Sequence, residues 1–265
     1  MPNLFDDFAM AEGYAGARPP VHPRVIERLP IQHSVNLALD LGCGAGLSTA
    51  ALAPLARHRL GFDPSETMVE AARRRVPDAA FFVGSAEEIP VASRQVDLIA
   101  AAGSLNYADL ARFFPEASRI LNTNGVLVVY DFSPGRSFTN QDSLTDWFNV
   151  FSQRYPWPAF NGHPLNPEIL SRLDSGFTLR AHENFVIPIP LTHSAYLNYM
   201  MTETNVAEAI SNGTPSDEIR AWCAATLAPI FGEQPREVLF HGYFACLTVS
   251  AQGVPGWVAQ PFSPA

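Results

Sequence analysis

From Val35 to Phe132, short apolar runs alternate with segments whose apolar residues recur at helical spacing. Val35–Leu41, Arg59–Asp63, Ala80–Val83, Val96–Ala101 and Val126–Phe132 are short and aliphatic or aromatic, and read as strands. Leu47–Ala56, Ser65–Arg75 and Leu110–Leu121 read as helices between them, with Asn122-Thr123-Asn124-Gly125 as the turn before the fifth strand. Strands alternating with helices imply crossover units on a parallel sheet, hence an α/β fold. Farther on, Phe177–Leu191 and Glu237–Ser250 read as sixth and seventh strands, and Ser194–Ile210 and Asp217–Pro229 as helices. The intervening stretch, 134–176, is aromatic and punctuated by proline.

The first strand ends in Asp40-Leu41-Gly42-Cys43-Gly44-Ala45-Gly46. Glycines at alternate positions let the backbone turn sharply and approach a ligand, and the amides of the following helix point into the same space. An adenosine-containing cofactor suits such a turn. In a dinucleotide fingerprint the third glycine falls three residues after the second, where this chain has Leu47. A carboxylate at Asp40 would repel a pyrophosphate but suits the ammonium of a methionine moiety, which favours S-adenosylmethionine. Asp63, about 20 residues on at the end of the second strand, can accept hydrogen bonds from both ribose hydroxyls. Before Pro64 it can also serve as a turn or capping residue.

These residues resemble a class I S-adenosylmethionine-dependent methyltransferase of the small-molecule type, similar to the trans-aconitate methyltransferase and methyltransferase type 11 families. Gly61-Phe62-Asp63-Pro64-Ser65-Glu66-Thr67-Met68 is similar to the second motif, Gly84-Ser85-Ala86-Glu87-Glu88-Ile89-Pro90 to the third, and Val96–Tyr107 to the fourth strand with its loop. The resemblance is specific through about residue 133 and architectural beyond it. It implies a Rossmann-like, seven-stranded, mostly parallel sheet with helices on both faces and an antiparallel final pair. A helical cap at 134–176 would interrupt a core of 35–133 and 177–250, with an N-terminal arm at 1–34 and a tail at 251–265. The cofactor contacts it implies are Tyr14, Arg18, Asp40, Gly42, Cys43, Gly44, Gly46, Asp63, Pro64, Met68, Ser85, Ala86, Glu87, Ala102 and Gly103. Tyr14 and Arg18 belong to a Tyr-x-x-x-Arg-Pro arm folding over the cofactor or an acidic substrate group, or else to an exposed turn.

Methyl transfer is a direct displacement in which the cofactor carries the reactivity and the protein orients the pair, so no nucleophile on the enzyme is expected. Ser104, Asn106 and Tyr107 follow the fourth strand, where the methyl group should project. Relatives often carry His-Trp at the positions of Asn106-Tyr107; Asn106 cannot act as a base and can instead cap the next helix. His163 and His193 are the histidines placed to serve a hydroxyl acceptor, with Glu203 a further polar contact. Trp147, Phe151, Tyr155 and Trp157, with Tyr196, Tyr199 and Met200 opposite, read either as an apolar acceptor pocket or as the core of the insertion. The function implied is methyl transfer to an oxygen, nitrogen or carboxylate of a small, partly apolar acceptor, yielding S-adenosylhomocysteine. The alternative is a protein that binds S-adenosylmethionine without methyl transfer.

The 265 residues are 47% hydrophobic, enough for one good core. A formal charge of −9 argues against a nucleic-acid partner. The basic run Arg73-Arg74-Arg75 reads as a solvated helix end. The opening residues lack a charged and apolar leader pattern, and no apolar stretch approaches the roughly 18 residues of a membrane span, so a cytoplasmic protein with no membrane partner is expected, as monomer or homodimer. Cys43, Cys223 and Cys246 are isolated, suggesting neither disulfide nor metal site.

Overall fold

The computed structural model describes residues 16–250. Its sheet comprises β1 (Val35–Leu41), β2 (Ala56–Asp63), β3 (Ala80–Val83), β4 (Val96–Ala102), β5 (Leu121–Phe132), β6 (Phe177–Leu191) and β7 (Arg236–Val249). The spatial order is β3-β2-β1-β4-β5-β7-β6. β1 through β5 pair in parallel, whereas β7 is antiparallel to both β5 and β6. The expected seven-stranded, mostly parallel sheet is therefore present. Strand order reverses between β1 and β4, and in open α/β sheets ligands bind at such a switch point, beyond the carboxyl ends of the strands.

Alternate residues of each central strand enter opposite cores. Ala38, Leu98, Val128, Tyr130 and Phe240 face one side; Leu39, Ile99, Leu127, Val129 and Leu247 face the other. Burial on both faces explains why these strands read as nearly continuous apolar runs. The helices Val21–Ile26, Ser143–Arg154, His193–Met200, Thr204–Ser211 and Ser216–Phe231 cover the first face through Val25, Trp147, Tyr196, Val206 and Leu227. The helices Leu110–Ile120 and Pro167–Arg172 cover the second through Phe113, Ala117 and Leu170.

Three elements differ from expectation. The helix after β1 stops at Ala51, and β2 begins at Ala56, where helix had been expected. Asn122–Gly125 lies within β5, with a register shift opposite Val96 and Leu98 and the Asn122 amide bonded to Asp97. The continuous helix expected over Ser194–Ile210 is broken into His193–Met200 and Thr204–Ser211. Glu203 departs from helical geometry at the break (φ −74°, ψ 147°), and its buried carboxylate pairs with Arg18 at 2.9 Å. Among the described residues no helix is long and apolar enough to cross a membrane.

Candidate functional site

The carboxyl ends of β1, β2 and β4 converge on the glycine turn. Gly42, Gly44 and Gly46 all have left-handed φ values, 64°, 49° and 86°. A Cβ on Gly42 would lie 2.4 Å from the Ser104 Cβ, and one on Gly46 3.2 Å from Ala72. One on Gly44 would meet nothing within 4 Å. The outer glycines thus permit close packing, while Gly44 presents bare backbone to open space. Gly44 N donates to Asp63 Oδ2 at 3.0 Å and Ser65 N to Asp63 Oδ1 at 2.9 Å. Asp63 therefore ties the turn to β2, and each oxygen keeps a further lone pair for a ligand hydroxyl. Burial raises its pKa against these two bonds.

Asp40 is fully buried near the carboxyl end of β1. Ser48 Oγ and Thr49 Oγ1 both donate to its Oδ2, at 2.6 and 2.5 Å, so the short helix after the turn is pinned to β1. Its Oδ1 is buried with no hydrogen-bond partner in the protein. Burial pushes the carboxyl up to about 6, against the Ser48 and Thr49 hydrogen bonds and with Asp63 adding to the rise. An orphaned buried oxygen at a glycine turn is the environment an ammonium group would complete. Beside it Tyr130 is fully buried, its hydroxyl 2.9 Å from His22 Nδ1. Burial, then Arg18, lowers the His22 pKa to about 4, so this imidazole is neutral near pH 7.

The remaining expected cofactor positions divide. Pro64 is exposed and Met68 is buried against Ala45 and Ala71. The Cys43 side chain turns away from the turn into a cluster with Val69, Ala72 and Phe81, and burial raises its thiol pKa, which leaves only its backbone at the site. Ser85 is exposed, Ala86 packs on the second-face core, and Glu87 Oε1 accepts from Asp109 N at 2.8 Å. Ala102 is half-buried, and Gly103, at φ 64°, follows it.

The loop after β4 is built around Asp131, a residue the sequence reading passed over. Asn106 Nδ2 donates to Asp131 Oδ2 at 3.1 Å, Phe132 N donates to Oδ1 at 2.8 Å, and a Cβ on Gly103 would lie 3.0 Å from Oδ1. Burial raises the Asp131 pKa against the bonds from Phe132 and Asn106. Asn106 therefore serves this carboxylate; Asp109 caps the following helix. The Asn106 carbonyl accepts from His163 N at 2.6 Å, which brings the 160–163 segment to the loop, although the His163 residue itself is exposed. Tyr107 is 69% exposed and meets Phe160, 54% exposed, edge to face with centroids 5.8 Å apart.

Several expected substrate residues lie elsewhere. Ser104 Oγ donates to the Leu41 carbonyl, and Ser104 fills the space beneath Gly42, so it is a strut of the turn. His193 Nε2 contacts the Ala224 carbonyl at 3.1 Å and its ring lies against Phe231, committing it to helix packing. Trp147, Phe151, Tyr196, Tyr199 and Met200 are buried in the first-face core. Trp147 stacks on Phe151 and Trp222 and donates to Thr226 at 2.8 Å; Tyr196 donates to the Gly135 carbonyl at 2.7 Å. These five are core, because their helices bury their aromatic faces against the sheet. Tyr155 and Trp157 line a surface groove of about 590 Å³ with Arg154 and Glu208, whose lining shares no residue with the glycine turn. Arg18 reaches across to Glu203, the Thr202 carbonyl (3.1 Å) and the Tyr199 ring (5.2 Å). Tyr14 lies outside the described residues.

Residues 39–129 match the family model described as a methyltransferase domain. An uncharacterized methyltransferase of Mycobacterium tuberculosis is 33% identical, over 45% of this chain and 49% of its own. The demethylmenaquinone methyltransferase of Thermotoga maritima is 35% identical, over 42% of this chain and 49% of its own. The chain thus spans about half the length of these curated relatives. A solved structure from Anaeromyxobacter dehalogenans, assigned as a type II methyltransferase, shares the fold with a TM-score of 0.63 at 22% identity, covering 87% of this chain and 96% of that one.

Proposed function

We propose that this chain, whose residues 39–129 match a methyltransferase domain, is a class I enzyme that transfers a methyl group from S-adenosylmethionine to a small, partly apolar acceptor. The observation that carries this reading is the buried, unpartnered Oδ1 of Asp40, two residues before the first glycine of the turn. An ammonium there would satisfy that oxygen by a charge-assisted hydrogen bond. Asp63, at the end of the neighbouring strand, has lone pairs left for the ribose hydroxyls, and the Gly44 backbone leaves room for close approach. The bound sulfonium supplies the activated methyl. The protein's part is to hold that group at the ends of β1 and β4, keep water out and set the acceptor in line. Tyr107 and Phe160 offer an apolar lip beside Asn106, and edge-to-face aromatics of this kind suit a partly apolar molecule.

Calorimetric titration with S-adenosylmethionine and S-adenosylhomocysteine, with NAD as control, tests the reading. Micromolar binding of both sulfur compounds and none of NAD is expected. Failure to bind either sulfur compound overturns it.

A further inference from the structure

Resting on that reading, we propose that the Asp131 carboxylate is the group that takes the proton from the acceptor, and that the acceptor atom is therefore a neutral or protonated O–H or N–H and not a carboxylate. Asp131 is the penultimate residue of β5, next to the end of β4 at the switch point, and its oxygens lie against Gly103 and Asn106. Asn106 holds Oδ2 through its amide and Phe132 N holds Oδ1, so the carboxylate is fixed with a lone pair remaining on each oxygen. Tyr243, its cross-strand partner on β7, has a buried hydroxyl with no hydrogen-bond partner. A polar group entering beside Asp131 would give that hydroxyl a partner as well. The groups facing Asp131 are thus the Tyr243 hydroxyl from β7 and the Asn106 amide from the loop, with Tyr130 beside it on β5. None is a cation, and Asp40 and Asp63 line the same sheet edge. An anionic acceptor would meet repulsion there, whereas an X–H acceptor gains a hydrogen bond.

In the step, a lone pair on X attacks the methyl carbon as the carbon–sulfur bond breaks, leaving neutral S-adenosylhomocysteine. The proton of X–H passes to Asp131 and from there to solvent. Asp131 pKa is raised by burial, which makes the carboxylate a better proton acceptor than an exposed aspartate. Asn106 acts as a positioning residue, since its amide donates to the carboxylate and can take no proton.

The test needs no acceptor. Sinefungin carries an amine where the cofactor carries its methylsulfonium group, so it places a cation at the transfer position. Binding of sinefungin and of S-adenosylhomocysteine is measured by calorimetry for the wild-type chain and Asp131→Asn from pH 5 to 8. The variant is expected to bind S-adenosylhomocysteine within about twofold of wild type and sinefungin at least tenfold more weakly. The wild-type preference for sinefungin should fall on acidification, as Asp131 is protonated, and the variant should lack that dependence. Undiminished sinefungin binding by Asp131→Asn overturns the proposal. If that variant no longer binds S-adenosylhomocysteine, Asn106→Ala decides: removing the donor should move the midpoint of the wild-type pH dependence upward, and an unmoved midpoint overturns the proposal. If wild type binds neither compound, the methyltransferase reading itself falls. Wild-type binding of both with no pH dependence of their ratio overturns the assignment of Asp131 alone.

Discussion

Asp40→Asn separates what the buried carboxylate does to the fold from what it does for a ligand. The amide oxygen of Asn can still accept from Ser48 and Thr49, so the link between β1 and the following helix survives. In the ligand-free protein the Asp40 pKa stands at about 6 against an ordinary 3.8. A carboxyl raised in the folded state contributes stability that is complete below the unfolded pKa and lost as pH rises through the folded one, here between about 4 and 6. Integrated from pH 7 down to pH 5, a group with these two values adds about 1 kcal/mol. His22 works the other way: its pKa of about 4 lies below the usual 6.5, so it loses stability as the pH falls through this range. The decisive quantity is therefore the difference between wild type and variant. Asp40→Asn should gain about 1 kcal/mol less than wild type between pH 7 and pH 5, roughly 2–4 °C in Tm for a chain of this size. Replacing the charge that faces an ammonium should weaken S-adenosylhomocysteine binding by about 1.5–3 kcal/mol, on the order of 10- to 150-fold. Thermal unfolding without ligand at the two pH values, together with calorimetry, reads both quantities. Identical pH responses would refute the burial argument, and unchanged affinity would refute the ammonium contact.

Gly42→Ala should lower stability by at least about 2 kcal/mol and abolish cofactor binding, because it adds a Cβ 2.4 Å from Ser104 at a left-handed φ; denaturant unfolding and calorimetry check this. Ser104→Ala should cost about 1–3 kcal/mol in the same unfolding assay by leaving the Leu41 carbonyl without its donor, with no selective effect on any acceptor. Trp147→Ala should cost about 3–5 kcal/mol, as expected of a stacked core residue; a stability change below about 1 kcal/mol would return it to the pocket wall. Phe160→Ala, at an exposed position, should change stability by less than about 0.5 kcal/mol and leave S-adenosylhomocysteine affinity intact while raising the acceptor KM.

The sheet was legible because its central strands are buried on both faces and so read as unbroken apolar runs. The glycine turn was legible because left-handed φ values and close packing admit few residues besides glycine. The helix break at Met201–Glu203 was not, since it depends on a buried ion pair with Arg18, far away in sequence. Trp147, Phe151, Tyr196, Tyr199 and Met200 stayed open between two readings for a related reason: a pocket wall and a helix–sheet core call for the same side chains at the same spacing. Ser104 looked substrate-facing by position, yet only the fold shows it wedged beneath Gly42. Asp131 did leave a signal, a carboxylate closing the apolar run of β5 at the carboxyl edge of the sheet, but its Asn106 partner lies in a separate loop.

The stretch carrying the recognisable motifs is not a folding unit. From Leu127 to Phe132, β5 is hydrogen-bonded on its far side to β7, and Val126, Val128 and Tyr130 share their core with Tyr196, Phe240 and Phe244. A fragment ending near residue 133 would expose a long unpaired strand edge beside a bare apolar face, a template for association with other chains. Residues beyond the motifs thus cover the strand edge and the apolar face of the cofactor half, so dissection of this protein has to respect the sheet rather than the motif boundary.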